Sequence, residues 1–290
     1  MVIETIDKTY DVIGFAKSDE AIKRYICKDI SDNREYKLIC VCTRELIEML
    51  MPFFLTHESE GKFRDYHGCF VDNGNLYLVF SYHEGQSIKD RLEKSNCTLE
   101  ERIGLFGKLL EKLMLLAMPD GVAADVLKSD RILASDADEI EFSYELSNPA
   151  SVVKNDKTDM QKRLLAVYDH LFEEELKRRT VLALSDYRDI IRPGDYDNVI
   201  EAYRLFKVFT GIIDGLAPED RSTPHTKGYL AWEKVKSVFP VVKRVVLLLV
   251  ALAAVGFLIW SMWNTLRTQQ KDIVFDQIGT YEIDNGLEGK

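Results

Sequence analysis

The chain carries nineteen residues in a row without a charged side chain, beginning at Val245 and ending at Trp263. A helix of that length rises about 28 Å, close to the hydrocarbon thickness of a bilayer. Trp260 and Trp263 stand at one end of the run, where indole rings favour the headgroup boundary. The run therefore predicts one transmembrane helix over residues 243–264. The alternative is a buried core helix of a soluble protein, and so long an uncharged run argues against it.

Basic residues on either side of this run predict its orientation. Five basic residues precede the run: Lys227, Lys234, Lys236, Lys243 and Arg244. Two follow it, Arg267 and Lys271. The positive-inside rule then makes the large N-terminal part cytoplasmic and the C-terminal tail extracytoplasmic, in a single-pass protein of the cell membrane. Gly256 has Leu252 and Trp260 four residues away on either side, so the span has no strict GxxxG motif. A homodimer formed through the span would need other contacts.

Composition excludes several other classes of protein. Hydrophobic residues make up 46% of the chain, enough for a packed core, and the net charge of −10 makes nucleic acid an unfavourable partner. The five cysteines are scattered and odd in number, and the five histidines share no ligand spacing, so we expect free thiols and no metal. The N-terminus lacks the features of a signal peptide, which again indicates a cytoplasmic start.

The first 82 residues alternate mainly with the period of β-strands. The pattern predicts a helix over 44–57, a hairpin turn at Asp72-Asn73-Gly74-Asn75 and strands over 10–16, 21–28, 36–43, 63–71 and 76–82. Beyond residue 86 the period becomes helical, and Thr98-Leu99-Glu100-Glu101 reads as a capping box. We predict a loop-rich stretch over 120–156 and helices over 87–93, 98–118, 159–178, 185–191 and 196–213.

Residues 75–92, NLYLVFSYHEGQSIKDRL, resemble the fifth strand, hinge and first large-lobe helix of protein kinases, where the family commonly reads LYLVFEY-x-x-GGSL. The hinge-like residues are Ser81, Tyr82, His83, Glu84 and Gly85. The resemblance covers roughly residues 8–215 and also rests on the order of elements: three strands, a helix, two strands, a hinge and a helical half. It implies an α+β, two-lobe kinase-like domain over residues 1–214, with a small β-rich N-lobe and a helical C-lobe.

The nucleotide-binding motifs that this resemblance implies are degenerate. The counterpart of the glycine-rich loop, residues 13–19, has one glycine and two charged residues. The position of the phosphate-binding lysine falls on Ile39 or Cys40, and Lys37 is two residues away. Backbone amides at such a loop approach phosphate poorly, and a two-residue shift along a strand moves a side chain by nearly 7 Å.

The catalytic motifs are degenerate as well. Within residues 121–133, Asp125 matches the catalytic aspartate only with a one-residue insertion, and Arg131 stands where the family has a magnesium-binding asparagine. In the segment matching the DFG motif, residues 140–146, no aspartate is in register and Ser143 stands among the degenerate positions. Nothing resembles the APE motif. Five departures together predict a domain that is not an enzyme and binds no cofactor or metal.

The sequence leaves two functions open. The first is a catalytically inactive, membrane-anchored pseudokinase scaffold that binds the bilayer and the cytoplasmic and membrane proteins of a complex. Its architecture resembles that of the pseudokinase-like membrane subunit of bacterial type VII secretion systems. In this arrangement residues 215–242 are a juxtamembrane stem and 265–290 a short external tail, in which 273–275 and 281–283 would form short strands. The alternative is an atypical membrane-bound Ser/Thr kinase or nucleotide-sensing regulator, with Lys37 touching phosphate and Asp125, Glu141 and Glu145 holding metal.

Overall fold

A computed structural model shows that the chain has an α+β fold, with a curled β-sheet in its N-terminal part and a helical C-terminal part. The chain divides into two units, residues 1–226 and 227–290, which are described separately. The structure describes residues 1–5, 8–16, 19–95, 97–135, 139–217, 221, 228, 243 and 250–267.

The N-terminal part of the first unit is a six-stranded antiparallel sheet with one helix. Its strands follow the order β1-β2-β3-β4-β6-β5, and helix α1 connects β4 to β5. The bounds are β1 Val2–Glu4, β2 Thr9–Phe15, β3 Ile22–Asp29, β4 Glu35–Val41, α1 Arg44–Glu60, β5 Tyr66–Asp72 and β6 Asn75–Ser81.

The remainder of this unit is helical apart from a small three-stranded sheet of order β7-β8-β9. The bounds are β7 Gln86–Ser87, α2 Ile88–Lys94, α3 Leu99–Leu116, α4 Asp120–Val126, β8 Ile132–Ala134, β9 Ile140–Phe142, α5 Pro149–Lys154, α6 Lys157–Leu171, α7 Glu173–Arg178, α8 Leu182–Ile190 and α9 Val199–Asp214. In the small sheet, β7, which comes directly after the hinge-like residues, pairs with β8, and β8 pairs with β9.

Alternation along the strands gives the large sheet two apolar faces. Leu38 on β4 and Val79 on β6 belong to a small cluster of buried hydrophobic residues on one face of the sheet. Ile39 and Leu78, their neighbours in sequence, point to the opposite face and join the main core, which continues into the apolar face of α3. The main core therefore holds the sheet and the helical part together as one unit.

The strand and capping predictions are confirmed. The five predicted strands correspond to β2 to β6, and the predicted helix at 44–57 continues three residues further, to Glu60. Asn73 and Gly74 both have positive φ in the hairpin, as a type I′ turn requires. Thr98 accepts a hydrogen bond from the Glu101 backbone while the Glu101 side chain accepts one from that of Thr98, a complete capping box.

Two predictions about the helical part were wrong in detail. The stretch 120–156, predicted to be rich in loops, also contains α4, β8, β9 and α5, whose lengths of three to seven residues are too short to show a period. The helix predicted over 159–178 is two helices, α6 and α7, because the backbone leaves helical geometry at the buried Phe172. The three-residue strand β1 was likewise missed.

In the second unit, helix Val250–Arg267 is the single candidate span among the described residues, and its length and apolar composition are sufficient to cross a membrane. It contains Gly256, Trp260 and Trp263 and extends three residues beyond the predicted end at Asn264. Val245, nearly all of the predicted stem at 215–242, and the predicted strands at 273–275 and 281–283 lie outside the described residues.

Candidate functional site

A polar cleft opens between the large sheet and the loops around β8 and β9. It has a volume of about 420 Å³ and is lined by Asp19, Arg24, Asp130, Arg131, Ser143, Glu145 and Ser147. Arg24 lies on β3, while Ser143 and Glu145 come directly after β9. We call this set of lining residues the polar cleft. Its charged side chains of both signs make it a candidate for binding or catalysis.

Glu145 is the acidic centre of this cleft and neutralises two buried cations. Its Oε1 pairs with Nζ of Lys37, and its Oε2 lies 3.0 Å from Nε of Arg24. The same Arg24 Nε donates to the Glu145 carbonyl oxygen at 2.7 Å, and Lys37 Nζ donates to Ser143 Oγ at 3.1 Å. Burial lowers the pKa of Lys37, an effect that Glu145 opposes and the charge of Arg24 reinforces.

Asp125, at the end of α4, is held in a second set of ion pairs. Arg131 donates from Nη1 to Asp125 Oδ2 and to its carbonyl oxygen, both at 2.8 Å, and pairs through Nη2 with Ser147 Oγ. Lys128 Nζ lies 3.6 Å from Asp125 Oδ1, and burial lowers the pKa of that lysine. The Asp125 side chain is only 4% exposed, so its carboxylate is engaged with protein cations rather than with solvent.

The positions predicted from the kinase resemblance fall in different environments. Asp125 and Arg131 lie together, and Ser143 lies beside Lys37. Ile39 is fully buried in the main core, and Cys40 points to the other face of the sheet. Lys37 reaches the cleft despite its shift in register, because residues two apart on a strand share a face. Arg24 was not singled out, and its place on β3 gives no sequence signal for this role.

The hinge-like residues 81–85 form the connection from β6 to β7. Ser81 donates its backbone N–H to the Asp65 carbonyl oxygen at 2.9 Å. Tyr82 donates its backbone N–H to the Glu35 carbonyl oxygen at 3.4 Å. Glu84 is exposed, whereas a Cβ on Gly85 would lie 3.1 Å from the Ala134 carbonyl oxygen. The connection is thus anchored to the large sheet at one end and pressed against β8 at the other.

His83 belongs to a second cluster, formed by Asp65, His83 and Glu141, which we call the hinge cluster. His83 Nε2 lies 3.5 Å from Asp65 Oδ2 and 3.3 Å from Glu141 Oε2. One potential ligand atom from each residue lies within 4.8 Å of the others. The sequence gives no signal for this cluster, because its members are far apart along the chain and share no spacing.

Two further residues contact the hinge cluster. Tyr144 donates its hydroxyl to Asp65 Oδ2 at 2.7 Å, and Lys112 Nζ lies 2.6 Å from Glu141 Oε2. Burial raises the pKa of Asp65, but contacts with His83 and Tyr144 outweigh it and leave that pKa below its usual value. Glu141 therefore belongs to the hinge cluster and is not among the residues that line the polar cleft.

No model of a known protein family matches this chain, and no curated protein is significantly similar to it. The fold, the polar cleft and the hinge cluster are therefore the features that bear on function. Both lie where the large sheet meets the helical part of the first unit.

Proposed function

We propose that this protein is a catalytically inactive, membrane-anchored pseudokinase that acts as a protein-interaction scaffold. The observation that carries the proposal is the pairing of the cleft charges with one another. Glu145 holds Lys37 and Arg24, and Arg131 holds Asp125. The groups that would have to meet a nucleotide, a metal ion and a hydroxyl group are thus engaged within the protein.

The order of elements supports the kinase-like part of the proposal. Strands β2, β3 and β4 precede helix α1, strands β5 and β6 follow it, and a short connection leads to the helical part. This is the order that the resemblance implies, with the long helix α3 in the place of the central large-lobe helix. The polar cleft then lies between the two lobes.

The chemistry of phosphoryl transfer explains why such a cleft would be inert. The reaction needs cations that cradle the phosphates, carboxylate and amide ligands for magnesium, and an aspartate that accepts the hydroxyl proton. Here Arg131 places a cation against Asp125, where it would repel a metal ion. Glu145 already forms ion pairs with the Lys37 ammonium and the Arg24 guanidinium, so phosphate or magnesium would have to break those pairs first.

The helix Val250–Arg267 supports the membrane-anchored part of the proposal. With more Lys and Arg before the span than after it, the kinase-like domain would be cytoplasmic and the tail external. One span cannot form a channel alone, so we place the protein in a membrane complex, resembling in architecture the type VII secretion subunit. Copurification of secretion components with the detergent-solubilised full chain would support this assignment, and their consistent absence would contradict it.

An atypical membrane-bound Ser/Thr kinase or nucleotide-sensing regulator is the second candidate. It is favoured by Lys37, whose ammonium contacts Ser143 and Glu145, two residues that line the cleft of about 420 Å³. A nucleotide would have to separate Lys37 from Glu145 before it could bind there. Glu141 would have to leave the hinge cluster to act as a metal ligand in the cleft.

Incorporation of radiolabelled phosphate tests the inactive state directly. The full chain, solubilised in detergent with ATP and magnesium, is incubated with itself and with a general protein substrate. We expect no more label than in a matched Asp125→Asn variant. Labelling by the wild-type chain that Asp125→Asn abolishes, and that the exposed-site control Asp186→Asn leaves intact, would overturn the proposal.

A further inference from the structure

The hinge cluster has the donors of a metal site, drawn from three separate segments. Asp65 precedes β5, His83 lies between β6 and β7, and Glu141 lies on β9. His83 Nε2 and Glu141 Oε2 are both enclosed by protein and lack a hydrogen bond of good geometry, although Lys112 forms an ion pair with Glu141 Oε2. Buried polar atoms are nearly always satisfied, so the His83 Nε2 atom, which faces two carboxylates, needs an explanation. We propose that the hinge cluster binds a divalent transition-metal ion of the zinc class.

The two distances from His83 match those between neighbouring ligands of a tetrahedral ion. Zinc bonds to imidazole nitrogen and carboxylate oxygen at about 2.0–2.2 Å, which places neighbouring ligand atoms about 3.4 Å apart in a tetrahedron. The separations from His83 Nε2 are 3.5 Å to Asp65 and 3.3 Å to Glu141. The ligand atoms of Asp65 and Glu141 lie within 4.8 Å of each other, so side-chain adjustment would be needed for all three residues to hold one ion.

The chemistry of the donors selects the class of metal. One imidazole with two carboxylates suits zinc and its first-row neighbours, whereas magnesium and calcium prefer sites made of oxygen ligands alone. Three protein ligands leave a fourth tetrahedral position for water. With His83 and Glu141 side chains 23% and 16% exposed, the cluster is open enough for a metal ion to enter.

The surrounding residues both support and oppose metal binding. Tyr144, fully buried, donates its hydroxyl to Asp65 and so fixes the orientation of that carboxylate, as outer-shell partners of metal ligands do. Lys112 places its ammonium 2.6 Å from Glu141 Oε2, where it competes with a metal ion for that oxygen. Because the Lys112 side chain is 22% exposed, it can turn towards solvent when a metal ion binds.

This inference is independent of catalysis in the polar cleft. A metal ion at the hinge cluster would link the large sheet, the hinge-like connection and β9, and so fix the geometry of the surface that the scaffold presents. It also departs from the expectation of no metal, which was drawn from the absence of ligand spacing along the sequence. The fold supplies the proximity that the spacing lacks.

Cobalt titration of the full chain in detergent tests the proposal, because Co²⁺ bound tetrahedrally has strong visible absorption bands that Zn²⁺ abolishes on displacing it. We expect saturable cobalt bands, their loss on zinc addition, and a zinc-dependent rise in melting temperature. His83→Asn and Glu141→Gln should each weaken zinc binding by more than about tenfold, since even outer-shell substitutions cost about 10–100-fold. His67→Asn is the matched control, because His67 lies exposed on β5 and bonds Ser81 instead.

Lys112→Met provides a second, independent variant. Removing the competing ammonium should strengthen cobalt and zinc binding several-fold while leaving the three ligands in place. Circular dichroism confirms that each variant is folded. Absence of tetrahedral cobalt bands in both the wild-type chain and Lys112→Met would overturn the proposal. Equal zinc affinity in His83→Asn and His67→Asn would do so as well.

Discussion

At the scale of single residues, the first unit places several ionised groups out of solvent and satisfies each with a partner of opposite charge. Asp125 and Arg131 illustrate the principle, with side chains 4% and 11% exposed. Burying either charge alone would cost far more than the pair gains, because the low-dielectric interior does not replace lost hydration. Such pairs therefore fix local geometry more than they add to overall stability.

Arg131→Met should be strongly destabilising for this reason. We expect the free energy of unfolding to fall by about 3 kcal/mol, since Asp125 would keep its buried charge with only the more distant Lys128 nearby. Arg44→Met removes the exposed pair with Glu48 and should cost less than about 0.5 kcal/mol. Urea denaturation of the full chain, followed by circular dichroism, compares the two. Similar costs for both variants would contradict this reading of Asp125.

Asp65 should make the stability of the protein depend on acid pH. Its pKa is lowered in the folded state, so its ionised form stabilises the fold above the unfolded pKa, and this contribution is lost as pH falls through the folded pKa. Asp65→Asn should therefore be destabilised relative to wild type at about pH 6, with the gap narrowing below about pH 4. Melting temperatures across this range measure the gap. Asp186→Asn, an exposed control, should track wild type throughout, and a constant gap for Asp65→Asn would refute the linkage.

At the scale of elements, the close approach of α4 to α5 depends on one glycine. A Cβ on Gly121 would lie 2.0 Å from the carbonyl oxygen of Val152, and the Gly121 N–H donates to Asn155 Oδ1 at 2.8 Å. This contact positions α4 and therefore Asp125 at its end. No neighbouring side chain can move to relieve such a clash, because the opposing atom belongs to the backbone.

Gly121→Ala should consequently lower the free energy of unfolding by about 3 kcal/mol or more. Gly104→Ala is the matched control, because Gly104 is exposed on α3 with no atom within 4 Å of an added Cβ. That substitution should stabilise the protein by up to about 1 kcal/mol through helix propensity. Denaturation curves of both variants give opposite signs on this account, and destabilisation by both would contradict it.

The elements that the sequence predicts well are those with a long period or a local hydrogen-bonding signature. The strands β2 to β6 are seven or eight residues long and rich in Tyr, Ile, Val and Phe. The turn at Asn73-Gly74 and the capping box at Thr98 depend only on neighbouring residues. Helix α4 escapes prediction because nearly all of its seven residues are small or apolar and buried on every side. Its structure is imposed by tertiary packing rather than by a local pattern.

The candidate site was only partly predictable for a related reason. Asp125, Arg131 and Ser143 could be found because the kinase resemblance assigns them positions along the chain. Arg24 lies on β3, Asp65 just before β5 and Lys112 on α3, and they meet their partners only in the folded unit. No periodicity links these residues. The ion pairs of the polar cleft and the hinge cluster therefore form only because the fold brings distant segments together.

At the scale of the whole molecule, the chain contains an α+β unit and a helix with the length and composition of a membrane span. The polar cleft bears directly on the proposed function, because Lys37, Arg24 and Glu145 are paired with one another and Asp125 is paired with Arg131. A triphosphate or a magnesium ion that used these groups would have to break their ion pairs first. These pairs are the basis on which we propose a scaffold rather than an enzyme.

Nucleotide affinity is the property that separates this account from its alternative. The melting temperature of the full chain in detergent should be measured while ATP and magnesium are raised to millimolar concentration, alongside Lys37→Ala. The account predicts no shift in either protein, because Glu145 retains Lys37 and Arg24 in the wild-type cleft. A saturable rise in the wild-type melting temperature that disappears in Lys37→Ala would contradict it.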